Sequence, residues 1–247
     1  MQERHAVVVG AGGGIGRECT RQLRARGWRV FGLDLNRLET DDPGVMPLIC
    51  DVTDAGDVQR AFAEIGRTAP AINALIVCSG ILKVGALEDM AIEAFDAIFS
   101  VNVRGPFLCA RAAAPMLRAA ASADYPSRIV FLSSVAALRP KIHGGAYAAT
   151  KAALDALTRT FAGELAPGVL VNGIAPGAVD TDFVRKMRQG ADAGDSYKAG
   201  GSTLPPLGRI ATPADVAAVM NFLLDPGANH MLGAIITMDG GASAVRM

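Results

Sequence analysis

The 247-residue chain carries no net charge, with 24 basic residues against 24 acidic ones, and no basic run. The electrostatic footprint of a nucleic-acid binder is therefore missing. Its three histidines, His5, His143 and His230, have no ligand spacing, and no Asp/Glu/His cluster accompanies them, so no metal is expected. Cys19, Cys50, Cys78 and Cys109 include no close pair, and each lies in an apolar helix or strand pattern. We expect four reduced core thiols and a cytoplasmic protein. The opening Met1-Gln2-Glu3-Arg4-His5 runs straight into a short apolar strand, so neither a secretion signal nor a membrane span is expected. No linker, repeat or low-complexity tract divides the chain, and residues 1–247 read as one domain. With 51% hydrophobic and 19% charged residues, disorder is excluded and a sizeable core is implied.

Short apolar runs alternate with helical patterns along the whole chain. Strands are expected at Ala6–Gly10, Arg29–Leu33, Met46–Cys50, Ala74–Val77, Ile129–Leu132, Val169–Ile174 and Ile235–Met238. Helices are expected at about Ile15–Arg26, Asp54–Gly66, Ala91–Ala121 with a break near Val101–Gly105, Tyr147–Leu165, and Pro213–Leu224 capped by Thr212. Strands that are continuously apolar rather than alternating predict a parallel sheet covered on both faces, an α/β architecture. The irregular stretch Gln189–Pro206, rich in Gly, Ala, Asp and Ser, follows the sixth strand at the carboxyl end of the sheet. A loop of that length suits a substrate lid, placed at about residues 180–206.

The glycine run Gly10-Ala11-Gly12-Gly13-Gly14-Ile15-Gly16 follows a strand and opens a helix. Small residues there let the chain turn sharply and let a pyrophosphate approach backbone N–H groups at the positive end of the helix. The run fits both GxxxGxG and GxxGxxG, so its spacing does not choose between subfamilies. Asp34 ends the second strand, eighteen residues after Gly16, where a carboxylate accepts hydrogen bonds from the adenosine ribose. A 2′-phosphate would be repelled, which favours NAD. Arg37, three residues on, keeps NADP open.

Tyr147 and Lys151 are four apart in a helical pattern and share a face. A phenol titrates near pH 10, so exchanging a proton at pH 7 needs roughly 4 kcal/mol of preferential stabilisation of its ionised form. A cation about 4–5 Å away at an effective dielectric near 20 supplies roughly that. Ser134, at the end of the fifth strand, offers a hydroxyl to a substrate oxygen. Asn102 interrupts a helical pattern.

These residues together resemble the short-chain dehydrogenase/reductase superfamily, in its compact branch, along essentially the full chain. The matching stretches are Val8 to Gly16, Asp51-Val52, Asn102, Ser133-Ser134, Tyr147-Ala148-Ala149-Thr150-Lys151, Asn172 to Gly177 and Asp239-Gly240-Gly241. The resemblance implies a three-layer Rossmann fold with a mainly seven-stranded parallel sheet, assembled as a homotetramer or homodimer. It implies an oxidoreductase moving hydride between NAD and a small secondary alcohol or ketone. Tyr147 would be the acid/base, and Lys151 would lower its pKa and hold the nicotinamide ribose. Ser134 would orient substrate, and Asn102 would anchor a water continuing the relay. Gly10, Gly14, Ile15, Gly16, Asp34 and Gly80 would line the cofactor groove. Asp51 and Val52 would hold the adenine, and Pro176, Gly177, Val179 and Thr181 the nicotinamide end.

Two departures stand out. Val9 occupies a position where the family usually has Thr, and Cys78-Ser79-Gly80 one where it has Asn-Ala-Gly; we expect packing to replace a polar contact. His143, between Ser134 and Tyr147, and Phe183 are candidate substrate contacts, with Met187 and Tyr197 near them in sequence. Ala149, Ala153 and Ala156 form a small-residue face suited to another subunit or to core packing. The competing functions are a 3-oxoacyl thioester reductase using NADPH, a sugar-nucleotide epimerase or dehydratase, and a non-catalytic dinucleotide sensor.

Overall fold

In a computed structural model that describes residues 3–181 and 204–244, the chain forms a seven-stranded, wholly parallel sheet. Most of the expected lid, including Phe183, Met187 and Tyr197, lies outside the described residues. The strands are β1 (His5–Val9), β2 (Arg29–Asp34), β3 (Val45–Ile49), β4 (Ala74–Val77), β5 (Ser127–Leu132), β6 (Val169–Pro176) and β7 (Ile235–Met238). The helices are α1 (Gly14–Ala25), α2 (Ala55–Thr68), α3 (Ile92–Phe99), α4 (Gly105–Ala120), α5 (Gly145–Leu165) and, near the C-terminus, α6 (Pro213–Phe222).

Consecutive strand residues feed opposite layers. Val7, Val9, Phe31, Leu33, Leu75 and Val77 pack with Val58, Phe62 and Ile65 of α2 and Leu117 of α4. Ala6, Val8, Val30, Ala74 and Ile76 pack with Cys19 and Leu23 of α1 and Met220 of α6. In β1, β2, β4, β5 and β6 burial on both faces explains why these strands read as unbroken apolar runs, while the edge strands β3 and β7 are only partly covered. In α1 the buried Gly16, Cys19 and Leu23 recur at helical spacing, as do Val58, Ala61, Phe62 and Ile65 in α2. Pro47 is tolerated in β3 because β3 is the sheet edge. At α6 the Thr212 side chain accepts from Asp215 N while Asp215 accepts from Thr212 N, a reciprocal capping box.

Strand order β3-β2-β1-β4-β5-β6-β7 reverses direction between β1 and β4. In open α/β sheets the crevice at the carboxyl ends of the strands at that switch is where ligands bind. Element ends differ from expectation in two informative places. Gly10 adopts φ +77 and ends β1 at Val9, and β6 runs on to Pro176, paired with Met238 of β7.

Candidate active site

The crevice is lined first by the glycine turn. A Cβ on Gly16 would stand 2.1 Å from the Gly10 carbonyl oxygen, and one on Gly10 would stand 2.7 Å from Ser79 N. The chain is packed bare at both places, and Gly10 also needs its left-handed φ. Gly13, at the N-cap, offers no side-chain cap to the first amides of α1, and uncapped amides at a helix N-terminus suit an anion. Asp34 braces this turn: Oδ2 accepts from Gly12 N at 2.9 Å and Oδ1 from Asn36 N at 3.1 Å. Each oxygen retains a lone pair for a ribose hydroxyl. Thr181, beyond β6, lies over Gly14, where an added Cβ would meet its methyl at 3.1 Å. Gly177 N donates to Met238 O, and Val179 pairs with Ala211, fixing the loop after Pro176 beside the turn. Asp51 Oδ1 accepts from Thr53 N and Oγ1, and Val52 packs against Gly105. A bare, amide-lined turn with an acid at its edge fits a dinucleotide.

The chemical half is carried by α5. That helix starts at Gly145, so Tyr147 lies in its first turn, half-buried, with Lys151 one turn on. The Lys151 ammonium sits 5.6 Å from the centre of the Tyr147 ring and donates to Leu132 O at 2.7 Å. It is 2% exposed, and that burial pulls its pKa down from 10.5 to about 8, with Cys78 and Asp155 opposing the shift. Ser134, extended at the end of β5, accepts from Ala136 N at 3.2 Å and caps the short 3₁₀ turn Val135–Ala137 that packs on α5. Accepting there leaves its own proton to donate. His143, at φ +64, precedes α5, and its carbonyl accepts from Gly85 N.

Asn102 lies in a π-helical segment, Ser100–Arg104, between α3 and α4. Such segments are often placed at functional sites. Its side chain is fully buried: Oδ1 accepts from Ile81 N at 2.8 Å, and Nδ2 donates to Ile81 O at 2.9 Å and Thr150 Oγ1 at 3.1 Å. Thr150 donates in turn to Tyr147 O at 2.7 Å. Both amide hydrogens are therefore engaged by protein. A Cβ on Gly80 would stand 3.4 Å from Asn102 Oδ1 and 3.6 Å from Lys151 Nζ, so the end of β4, the π segment and α5 converge.

The expectation that all four cysteines are core residues needs correction at Cys78. All four are free, but Cys78 is only half-buried, because β4 ends at Val77. Val9 is buried in the layer that holds α2 and α4, whereas Cys78 packs toward the layer of α1 and α6. The two departures thus diverge across the sheet. Ala149 and Ala156 are solvent-facing and Ala153 half-buried, so this face does not serve the core of its own chain.

Two residues were not singled out from sequence. Thr150 is signalled by its i, i+3 relation to Tyr147. Asp155, one turn beyond Lys151, is 4% exposed. Burial raises its carboxyl, which the neighbouring Ser133 hydroxyl and the Arg159 and Lys151 cations only partly offset. Neither Ser133 Oγ nor Asp155 Oδ1 completes a hydrogen bond of good geometry.

Comparison with known proteins gives the family of the chain. The family model described as enoyl-(acyl carrier protein) reductase matches residues 10–243. The short-chain reductase protein NovJ of Streptomyces niveus is 35% identical over 254 residues, covering 97% of this chain and 94% of the relative. Galactitol 2-dehydrogenase (L-tagatose-forming) of Cereibacter sphaeroides is 34% identical over 248 residues, covering 96% and 93%. Among solved structures, a 3-ketoacyl-(acyl-carrier-protein) reductase from Brucella melitensis complexed with NADH superposes with a TM-score of 0.86 at 26% identity, covering 97% of this chain and 98% of that one. The chain therefore belongs to the short-chain dehydrogenase/reductase superfamily, oxidoreductases that use a nicotinamide dinucleotide to interconvert alcohols and carbonyls.

Proposed function

We propose that the protein is an NAD-dependent dehydrogenase/reductase of secondary alcohols and ketones, with Tyr147 as its acid/base. The observation that carries this reading is the convergence of Gly80, Asn102 and Lys151 beside Tyr147 and the glycine turn. A bound nicotinamide dinucleotide supplies or accepts the hydride. The amides of Gly14, Ile15 and Gly16 would take its pyrophosphate, and Gly10 and Gly80 would let it lie close to backbone. Asp34 would accept the ribose hydroxyls and reject a 2′-phosphate. Asp51 and Val52 would border the adenine, and Pro176, Gly177, Val179 and Thr181 the carboxamide.

Ser134 donates to the substrate oxygen and holds it toward Tyr147. The phenolic oxygen gives a proton to a nascent alkoxide or, as phenolate, takes one from an alcohol. The Lys151 cation stabilises the phenolate and presents its remaining N–H groups to the nicotinamide ribose. Asn102 fixes the π segment. A relay water there would donate to Oδ1 or the main-chain carbonyl, since both side-chain hydrogens are engaged. His143 and Phe183 are proposed substrate contacts, and residues 180–206 a lid over one domain spanning 1–247. Solvent-facing Ala149 and Ala156 support a homodimer or homotetramer. Four free thiols support a cytoplasmic location. No described helix is long and apolar enough to cross a membrane.

A 3-oxoacyl thioester is the second substrate reading, favoured by the similarity to the Brucella melitensis reductase. NADH fluorescence against a panel of secondary alcohols, and its loss with ketones and 3-oxoacyl thioesters, tests both. Turnover at least tenfold faster with NAD than with NADP is expected. Tight dinucleotide binding without turnover on any panel member would leave a sensor rather than an enzyme.

A further inference from the structure

Three sulfur atoms meet at the end of β4. Cys19 Sγ of α1 lies 3.3 Å from Met220 Sδ of α6, and Cys78 Sγ lies 3.9 Å from the same thioether. The two thiols are also neighbours. Contact with Cys78, together with burial, holds the Cys19 thiol far above its ordinary value. Cys19 is wholly buried, while Cys78 is half-buried at the crevice, within electrostatic reach of the Lys151 ammonium. The other two cysteines lie away from this cluster. Cys50 and Cys109 are buried in the opposite layer, Cys50 pushed up to about 12 and Cys109 likewise raised by burial. One half-buried thiol thus lies at the end of β4 beside the crevice, its sulfur turned toward a second, wholly buried thiol.

We propose that Cys78 is an oxidative modification site: a hydroperoxide entering the empty crevice oxidises it, Cys19 resolves it to a disulfide, and bound dinucleotide shields it. In the first step the Cys78 sulfur takes one peroxide oxygen as the O–O bond breaks, giving a sulfenic acid and water from hydrogen peroxide. In the second, the Cys19 sulfur attacks the Cys78 sulfur. The S–S bond forms, the S–O bond breaks, and hydroxide leaves with the Cys19 proton as a second water. Two thiols are oxidised by two electrons in all, and one peroxide is reduced.

The consequence for binding follows from packing. The Cys78–Ser79 backbone runs close against Gly10: a Cβ there would stand 2.7 Å from Ser79 N and 3.1 Å from Cys78 C. Cys78 N also donates to Val9 O immediately before the turn. Drawing Cys78 toward α1 therefore displaces the glycine turn itself, and dinucleotide affinity falls with it. This inference rests on the crevice binding a dinucleotide, as proposed above.

The test treats the reduced, full-length protein with hydrogen peroxide, with and without saturating NAD, followed by alkylation and peptide mass spectrometry. A Cys19–Cys78 cross-link is expected in the free protein and at least tenfold less of it with NAD. NADH affinity should fall at least tenfold on cross-linking and return with dithiothreitol. In Cys19→Ser, Cys78 should be trapped by dimedone as the sulfenic acid, with no disulfide. The proposal is overturned if Cys78 stays reduced, if Met220 oxidises instead, if NAD gives no protection, or if the cross-linked protein binds NADH unchanged. Failure of the reduced protein to bind NADH at all would instead sink the cofactor assignment, since the cross-link can be scored independently.

Discussion

Around the glycine turn, side chains are missing wherever they would collide with backbone; around Tyr147 they are present, buried and engaged. Gly16 and Gly10 leave no room for a methyl group. Asn102, Thr150 and Lys151, by contrast, reach the backbone at Ile81, Tyr147 and Leu132 with their side-chain polar groups. The difference suits what each half must hold. A pyrophosphate is recognised by repeated amide N–H groups, which any sequence can supply once side chains are out of the way. Proton transfer needs one particular oxygen and one particular cation in register, and registration requires side chains locked by their neighbours.

Changes on the chemical half should remove turnover or stability without touching the glycine turn. Tyr147→Phe deletes the proton route, and kcat should fall about 10²–10⁴-fold or more, while NADH affinity stays within about twofold. Stopped-flow rates and fluorescence titration check both, and comparable turnover would dissolve the contrast. Asn102→Ala leaves the Ile81 amide and carbonyl and the Thr150 hydroxyl without their partner, for a loss of about 3 kcal/mol in urea unfolding. A loss below about 1 kcal/mol would mean that the π segment holds itself.

On the cofactor half the order of effects reverses. Gly16→Ala forces backbone to move, costing about 1–3 kcal/mol of stability and at least about tenfold in NADH affinity by the same titration. Gly66→Ala in α2, where nothing lies within 4 Å of the added methyl, should instead gain up to about 1 kcal/mol. If both glycines respond alike, the turn is not selected for bareness.

The buried ammonium sharpens the comparison through pH. Lys151 is lowered from 10.5 to about 8 by burial, so the folded protein releases this proton before the unfolded chain does. Between about pH 8 and 10.5 the unfolded state binds more protons. The cost of burying a charged lysine is thus present below pH 8 and relieved as pH rises through that window. Turnover should run the other way, because neutral Lys151 no longer supports a phenolate. A fall in kcat/KM setting in near pH 8, with a compensating rise in unfolding free energy, is expected. In Lys151→Met that stability rise should be flattened. A pH profile level to 10 would remove the electrostatic link between the two residues.

Much of the frame was legible because it is local. Continuous apolar runs marked the buried parallel strands, and spacing of four put Tyr147 and Lys151 on one face of α5. The interrupted pattern at Val101–Gly105 marked a real irregularity, the π segment. What was not legible depends on distant chain. Ile81, the chief partner of Asn102, lies 21 residues away in a loop without pattern. Cys78 reads as core because it follows the apolar run Ala74–Val77, but the end of β4 leaves it half-buried beside the crevice, against Cys19 of α1 and Met220 of α6, the latter 142 residues away. Asp155 carries no signal of its own in the sequence; it is buried because its face of α5, with Lys151, Leu154 and Thr158, packs inward.

By itself the amino-acid order determined the alternation of strand and helix, the bare turn and the Tyr–Lys phase, since each is a short-range matter of side-chain size and helical or strand period. Tertiary structure decided which carbonyl holds the lysine, which amide locks the asparagine and which sulfurs meet beneath the crevice. Those contacts join segments tens to hundreds of residues apart, and only the closing of the sheet and its two helical layers brings them within bonding distance.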